Sequence, residues 1–309
     1  MVSPHIVFTN SADEACALRD QGFEPIECAF GQYGSVLGPL ALDHHGTESH
    51  REGVALRACR DLYGARQRDP RFVVTGTPDA DAVLAIVALA GLVPQSALDP
   101  RFYELVNHQD LDPIGLDLLK SPEGVLLVWF NQQEHLTQSE GGFHKAITHM
   151  VRLLTEGLPA GERQTVETKD RHRREKALDG ILERLDRNGL ALPVPPHPER
   201  EPVLRGEAAL DAAARVLVVR SIVWGFDVWY RLAPVVVSHA SRMAKVTVGC
   251  PDHTTAEMLF GSGGLQRVWP TLGRGWGGRE TIGGSPRGDR LGVEVARSTA
   301  RTLLPLLQR

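Results

Sequence analysis

Two short segments of the chain carry side chains that are suited to bind a metal ion. In the first, an apolar run leads directly into Asp43, His44 and His45. In the second, a strand-like run and a Gly-Thr-Pro turn lead into the neighbouring carboxylates Asp79 and Asp81. Carboxylate oxygens and imidazole nitrogens together suit Mn²⁺, Fe²⁺ or Zn²⁺ better than Ca²⁺ or Mg²⁺ alone. Carboxylates at this spacing can bind one ion and reach a second about 4 Å away. The pattern therefore predicts a site for one or two divalent ions, with Mn²⁺, Fe²⁺ or Zn²⁺ favoured and Mg²⁺ possible.

Simpler structural interpretations of these residues stay open at this point. The N-terminus of a helix favours negative charge, so Asp79 or Asp81 can be a helix cap. His44 and His45 can be exposed in a turn. A third segment places His108 and Asp110 after a helical stretch, where they either complete the shell of an ion or form a polar loop.

A glycine-rich segment at positions 273–288 is suited to bind an anion. Glycines let backbone N–H groups approach a ligand closely, and an arginine side chain can donate two hydrogen bonds to one phosphate. The alternative is a flexible surface loop. We expect this segment to bind the anionic part of a substrate through seven residues: Gly277, Gly278, Arg279, Gly283, Gly284, Ser285 and Arg287.

The elements around the two metal-binding segments alternate between strands and helices, which predicts a parallel α/β sheet over residues 1–155. Functional residues of such sheets follow the carboxyl ends of the strands, where both acidic segments fall. The predicted strands are His5–Thr9, Pro25–Phe30 and Arg71–Thr75, and the predicted helices are Ala12–Asp20, Glu48–Gly64 and Asp81–Leu92.

The remainder of the chain predicts a linker and a second α/β domain. Residues 156–205 are expected to form a helical linker that ends in a Pro-rich loop at Leu192–Pro202. The charged run at 169–176 has mixed signs, which favours a solvated helix face over a nucleic-acid contact. Strands and a closing amphipathic helix then indicate a smaller domain over 206–309: Arg215–Arg220, Val235–Ser238, Lys245–Cys250 and the helix Val293–Leu307.

Composition limits the partners. The net charge of −4 excludes a global attraction to nucleic acid or anionic membranes, and 42% apolar residues are ordinary for a globular protein. No apolar run reaches the roughly 18 residues of a membrane span. We expect a cytoplasmic protein with a small phosphorylated substrate or a short nucleic acid as its partner and no membrane partner; a homodimer is compatible with these features.

The metal-binding segments resemble a known superfamily. Asp43-His44-His45 resembles the signature triplet of the DHH phosphoesterases, and the stretch 77–82 resembles their Asn-Pro-Asp-x-Asp-Ala motif. The glycine pairs at 277–278 and 283–284 are similar to the substrate loop of the associated DHHA1 domain. The resemblance implies a DHH-like catalytic domain at 1–155 and a DHHA1-like substrate-binding domain at 206–309.

Three departures accompany the resemblance. The Asp-x-Asp motif follows the Asp-His-His triplet here, whereas it precedes the triplet in the superfamily, so the motif order is permuted or strongly diverged. Thr75 stands where the superfamily often has a histidine, and His108 is the candidate replacement. Arg279 stands near the place of a further family histidine. A rival alignment restores the family order by taking positions 8–14, with Asp13 and Glu14, as the first motif.

The resemblance implies metal-dependent attack of water on phosphorus. The expected substrate is a phosphodiester or phosphoanhydride of a nucleotide, an oligonucleotide or a small phosphorylated metabolite. Asp43, His44, Asp79, Asp81, His108 and Asp110 are the expected metal ligands, and Asp43 and His45 the catalytic residues. Two alternatives stay open: a metal-dependent enzyme that acts on a non-phosphate substrate, and a non-catalytic ligand-binding relative.

Overall fold

The chain folds into two compact units in a computed structural model. One unit comprises Met1–Leu111 and Asp117–Thr168, and the other Asp112–Leu116 and Lys169–Arg309. The structure describes residues 3–28, 30, 42–43, 52–111, 116–133, 137–207, 210–286 and 289–308. The prediction of a mixed α/β protein with a parallel N-terminal sheet is confirmed.

The first unit is built on a small parallel sheet with the strand order β1-β3-β2. Its strands are β1 (His5–Phe8), β2 (Glu24–Ile26) and β3 (Arg71–Val74). Its helices are α1 (Ala12–Asp20), α2 (Val54–Asp61), α3 (Ala80–Leu89), α4 (Pro100–Leu111), α5 (Pro122–Asn131) and α6 (Glu140–Glu156). The predicted strands and helices are present, with β2, α2 and α3 shorter than expected.

Helix α3 is the centre of the first unit. Every residue from Ala80 to Leu89 is buried, because its sequence is apolar around the whole circumference. Helices α2, α4 and α6 pack around it. The only charged residue in this buried helix is Asp81, which is 3% exposed and therefore needs strong hydrogen-bond partners.

The second unit contains a seven-stranded sheet with the order β5-β4-β6-β7-β8-β10-β9. Only the central pair β6–β7 is parallel. Its strands are β4 (Ile181–Leu185), β5 (Ala191–Leu192), β6 (Val216–Ser221), β7 (Val235–Ala240), β8 (Lys245–Gly249), β9 (Gly277–Gly278) and β10 (Ile282–Gly284). The helices are α7 (Glu162–Asp179), which spans the division between the units, α8 (His197–Arg205), α9 (Phe226–Trp229), α10 (His253–Phe260), α11 (Trp269–Leu272) and α12 (Val293–Leu303).

Strand β6 shows why this sheet is covered on both faces. Val216 and Val218 belong to one hydrophobic cluster, and Leu217 and Val219 belong to another. Successive side chains of a strand point to opposite faces, so a continuous apolar run buries both of them.

The segment predicted as a linker, 156–205, differs most from expectation. It contributes β4 and β5 to the large sheet, and the Pro-rich stretch predicted as a loop forms most of α8. Residues 169–205 therefore group by their contacts with the second unit. The charged run is also not simply a solvated face, because Asp170 is buried and pairs with Arg173 and Arg174.

Within the part of the chain that the structure describes, no helix is long and apolar enough to cross a membrane.

Candidate acidic site at the carboxyl edge of the first sheet

The parallel sheet of the first unit brings the ends of three chain segments to one edge. Glu27 follows β2, Thr75 follows β3, and Thr9 follows β1. Leu42 forms a parallel bridge with Ile26 and leads directly into Asp43. Because parallel strands share the direction of their carboxyl ends, these residues collect at the edge where ligands bind in α/β sheets.

Asp79 lies at the N-terminus of α3, beyond the end of β3. It is the N-cap of α3, and its Oδ1 accepts a hydrogen bond from Ala82 N at 3.0 Å. The residue is exposed to solvent, yet protein packs densely around its carboxyl group. This desolvation, followed by the charges of Glu27, Asp110 and Asp81, raises the pKa of Asp79 well above its ordinary value, against the opposing effect of the hydrogen bond from Ala82. Negative charge is therefore concentrated around Asp79.

The carboxylate of Asp81, which lies in α3, accepts hydrogen bonds from the neighbouring helix α2. Its Oδ2 accepts from Val54 N at 2.7 Å and its Oδ1 accepts from Ala55 N at 2.9 Å. These N–H groups belong to the first turn of α2, which lack partners inside the helix. The carboxylate also complements the positive end of the α2 dipole. The helix-cap interpretation therefore holds for both aspartates: Asp79 caps α3, and Asp81 joins α3 to α2.

Asp43 lies next to Arg57. The Asp43 carbonyl oxygen accepts a hydrogen bond from Nη2 of Arg57 at 3.1 Å. Burial lowers the pKa of Arg57, while the charges of Asp81, Asp43, Glu52 and Glu27 oppose this change. Asp43 is 2% exposed, so its side chain lies inside the unit with this guanidinium group.

Helix α4 contributes Asp110 and Asn107 to the same region. Asn107 Oδ1 accepts from Gly53 N at 2.6 Å, just before α2 begins, and Asp110 acts electrostatically on Asp79. His108 lies on the same helix but is exposed. Residues two apart on an α-helix point about 200° apart, so His108 and Asp110 do not share a face. The predicted polar loop is a helix, and it does not bring His108 and Asp110 together.

Glu27, Arg57 and Asn107 are the members of the site that sequence reasoning missed. Glu27 has a φ of 51°, a left-handed conformation that non-glycine residues rarely adopt, and it is 7% exposed. Its backbone N–H donates to Leu42 O at 2.8 Å, which fixes it beside the segment of Asp43. The signal was available, because an acidic residue follows the apolar stretch Pro25–Ile26 at a strand end.

Neighbouring strand ends carry a smaller polar network. Thr75 Oγ1 donates to Asn10 Oδ1 at 3.3 Å, so the place of the family histidine is occupied by a hydroxyl that links β3 to β1. The acids of the rival alignment, Asp13 and Glu14, lie in the first turn of α1, and Glu14 accepts from the Thr9 hydroxyl at 2.5 Å. These contacts stabilise the start of α1.

Three predicted residues, His44, His45 and Arg287, lie outside the described residues. Among the residues that are described, no group of three or more His, Cys, Asp or Glu side chains is arranged to hold a metal ion. The assignment of His44 as a ligand and of His45 as a catalytic group stays a prediction, as does phosphate binding by Arg287.

The predicted substrate loop is a strand pair and not a flexible loop. Gly283 pairs with Gly278, and Gly284 with Gly277. A Cβ atom on Gly278 would lie 2.2 Å from the Gly283 Cα, so only glycines permit this approach. The loop's glycines therefore have a structural reason that is independent of any ligand.

Two further residues of the predicted loop also make backbone contacts. The Ser285 hydroxyl accepts from Val246 N at 3.3 Å, and Ser285 N donates to Val246 O at 2.9 Å. Arg279 N donates to Ile282 O at 2.7 Å within the β9–β10 turn. Substrate binding by Arg279 and its neighbours stays a prediction.

Comparison of the chain with protein-family models, with curated proteins and with solved structures found no match.

Proposed function

We propose that this protein is a metal-dependent phosphoesterase of the DHH type, with the acidic site of the first unit as its catalytic centre. The observation that supports the proposal most strongly is the position of the carboxylates: Glu27 follows β2, Asp43 follows the bridge between Leu42 and Ile26, and Asp79 follows β3. A site that concentrates carboxylates at a solvent-exposed position favours a cation. Carboxylates at the carboxyl edge of a parallel sheet are also where α/β enzymes place their chemistry.

The charge balance supports a cation at this place. The like charges of Glu27, Asp110 and Asp81 all act on Asp79. A bound divalent ion would offset this repulsion. Hard or borderline divalent ions such as Mn²⁺, with Mg²⁺, Fe²⁺ or Zn²⁺ as substitutes, prefer oxygen donors of this kind.

The residues divide into those that would hold the ion and those that position them. The described carboxylates do not form a complete ligand group by themselves, so His44 would add an imidazole to oxygen ligands drawn from Asp79, Asp43, Glu27 and Asp110. Asp81 and Asn107 instead hold the N-terminus of α2 against α3 and α4, which keeps Arg57 in place. A bound divalent ion supplies a water molecule with a lowered pKa as the nucleophile. His45, which follows the ligands in sequence, would donate a hydrogen bond to a phosphate oxygen.

The second unit would then be the DHHA1-like, substrate-binding half of a two-domain enzyme. The substrate class in this proposal is a phosphodiester or phosphoanhydride of a nucleotide, a short oligonucleotide or a small phosphorylated metabolite. The rival proposal is that the acidic site is purely structural, and the caps that Asp79 and Asp81 provide favour it.

The test is a metal titration combined with a hydrolysis assay. The purified protein, freed of metal by chelation, is titrated with Mn²⁺ by calorimetry, and hydrolysis of bis(4-nitrophenyl) phosphate, pyrophosphate and a dinucleotide is then measured. We expect Mn²⁺ binding and turnover that a chelator abolishes. Asp79→Asn keeps a helix-capping oxygen but removes the charge, so it should weaken Mn²⁺ binding about tenfold or more.

Matched variants separate the site from general charge effects. Asp110→Asn should also weaken Mn²⁺ binding, whereas Glu104→Gln, an exposed change on the same helix, should not. Asp13→Asn tests the rival alignment, and we expect it to leave binding and turnover unchanged. If the wild-type protein binds no divalent ion, the acidic site is structural; if Asp13→Asn alone abolishes activity, the rival alignment is correct.

A further inference from the structure

The second unit contains a shallow depression of about 400 Å³ that no sequence motif predicted. This volume is within the range of small-molecule sites, which is about 300–1,000 Å³. The residues that line it include Lys176, Gly180, Arg220, Ser221, Ile222 and Ser241.

The depression lies where the two parallel strands of the large sheet end. Strands β6 and β7 run parallel, with Ser221 opposite Ala240 at their carboxyl ends. Ser241 N donates to Ser221 O at 2.9 Å, which continues the pairing by one residue. The end of α7 closes one side, because Arg220 N donates to Gly180 O at 2.8 Å. The carboxyl end of a parallel strand pair is the usual place for a ligand in an α/β sheet.

The charge of the depression is positive. Lys176 and Arg220 are both exposed, and neither forms an ion pair within the described residues. The one acidic residue on its wall, Asp179, is paired with Arg200 at 3.3 Å. Two cations therefore face the depression, and the single opposing carboxylate is already engaged.

Two hydroxyl groups and a glycine complete the surface. The Ser221 hydroxyl is buried and accepts from Val223 N at 3.1 Å, which leaves its hydrogen as a donor. Ser241 adds a second hydroxyl. At Gly180 a Cβ atom would lie 2.6 Å from Arg220 O, so glycine is required for the close contact between α7 and β6. Cationic side chains with hydroxyl donors are the groups that recognise phosphate.

We propose that this depression binds the phosphate group of a small phosphorylated ligand. Lys176 and Arg220 supply the charge, and Ser221 and Ser241 supply neutral donors. Ile222, which is 50% exposed, provides an apolar contact for the part of the ligand beside the phosphate. This site lies entirely in the second unit and uses none of the residues of the acidic site or of the β9–β10 strand pair, so it does not rest on the proposed phosphoesterase activity.

The experiment uses inorganic phosphate as the probe and the full chain in the presence of a chelator. Without a divalent ion, the acidic site repels phosphate, so any phosphate binding that is measured takes place at another part of the protein. Thermal stability and calorimetry are measured in phosphate and in sodium chloride of equal ionic strength. We expect phosphate to raise Tm more than chloride does, and Lys176→Gln with Arg220→Gln to weaken phosphate binding about tenfold or more.

A matched control changes the net charge equally without touching the depression. Lys169→Gln with Arg171→Gln removes two exposed positive charges from α7 and should alter phosphate binding less than about twofold, because exposed charges at a distance are screened by salt. Hydrogen exchange should slow on phosphate addition in peptides that contain Gly180 and Ser221–Val223. The proposal is wrong if wild-type protein binds phosphate no better than chloride, if both double variants lose binding equally, or if protection falls outside these peptides.

Discussion

The two units bury charge in opposite ways. In the second unit, Arg173 donates to both carboxylate oxygens of Asp227 at 2.8 and 2.9 Å, and the buried Asp170 accepts from Arg173 and Arg174. Burial raises the pKa of Asp227, but the charge and hydrogen bonds of Arg173 outweigh it, and the net pKa lies below the ordinary value. In the first unit, the pKa of Asp79 is raised.

The difference is one of charge balance. The buried network of the second unit contains two carboxylates, Asp170 and Asp227, and two guanidinium groups, Arg173 and Arg174. Its negative and positive charges therefore balance within the network. In the first unit, the charges of Asp81, Asp43, Glu52 and Glu27 act on Arg57, and the like charges of Glu27, Asp110 and Asp81 act on the solvent-exposed Asp79. Buried ion pairs are common structural devices, whereas like charges gathered around an accessible residue are a sign of ligand binding. The comparison therefore separates a structural network from a candidate functional one.

The largest effect is expected from breaking the balanced network. Asp170→Ala removes the partner of two arginines at a buried position and should lower the free energy of unfolding of the second unit by about 3–5 kcal/mol. Calorimetric unfolding measures this as a lower Tm for the transition in which the second unit unfolds. Glu175→Ala, an exposed change on the same helix, should stay within about 0.5 kcal/mol. Equal effects of the two variants would show that the network does not stabilise the unit.

An intermediate effect is expected at Asp81. Asp81→Asn replaces one of the two oxygens that accept Val54 N and Ala55 N, which leaves a buried donor unsatisfied and should cost about 1–3 kcal/mol. Asp79→Asn keeps the capping oxygen for Ala82 and should cost less. Metal-free thermal unfolding compares the two variants. Loss of Mn²⁺ affinity in Asp81→Asn without loss of stability would instead identify Asp81 as a direct ligand, as the sequence predicted.

The smallest effect is a pH dependence of opposite sign in the two units. The folded pKa of Asp79 lies above its ordinary value of 3.8, so the folded state keeps this proton longer and stability falls as pH rises from 3.8 through the folded pKa. The folded pKa of Asp227 lies below 3.8, so its contribution is present above 3.8 and is lost as pH falls through the folded pKa.

Replacing each aspartate with the neutral asparagine reveals the two opposite pH dependences of stability. In metal-free protein, Asp79→Asn should gain stability relative to wild type as pH rises above 3.8, by less than about 1 kcal/mol because water screens an exposed carboxylate. Asp227→Asn should instead lose stability relative to wild type as pH rises toward 3.8, because the wild-type carboxylate ionises below 3.8 in the folded state. Chemical denaturation between pH 2 and 7 covers both ranges, and slopes of the same sign would contradict the contrast between the units.

Sequence pattern alone was sufficient for the elements whose signal is local. Short apolar runs identified β1, β3, β6, β7 and β8, and a glycine turn with an N-cap acid identified the start of α3. The sequence also placed Asp43 and Asp79 after strand-like segments, and both lie there in the structure. These features depend on periodicity and on groups within one turn of each other, which a linear sequence contains.

Strand β4 was missed because its charged residues have distant partners. Within Ile181–Leu185, Glu183 accepts from Arg297 at 2.7 Å, and Arg184 pairs with Asp211. From the local sequence alone, a charged stretch that follows a polar helix is predicted to continue that helix. Only when residues separated by 27 and 114 positions meet does a strand with two ion pairs become favourable.

The roles of the site residues were decided in the same way, by tertiary contacts. The sequence determined that acids stand at strand ends, because the chain direction and the apolar pattern are local. It could not determine that Asp81 would cap a helix that begins 27 residues earlier, that Glu27 would adopt a left-handed backbone beside Leu42, or that α4 would turn His108 away from Asp110. Each of these depends on the desolvation and the hydrogen-bond partners that packing creates, and those exist only in the folded chain.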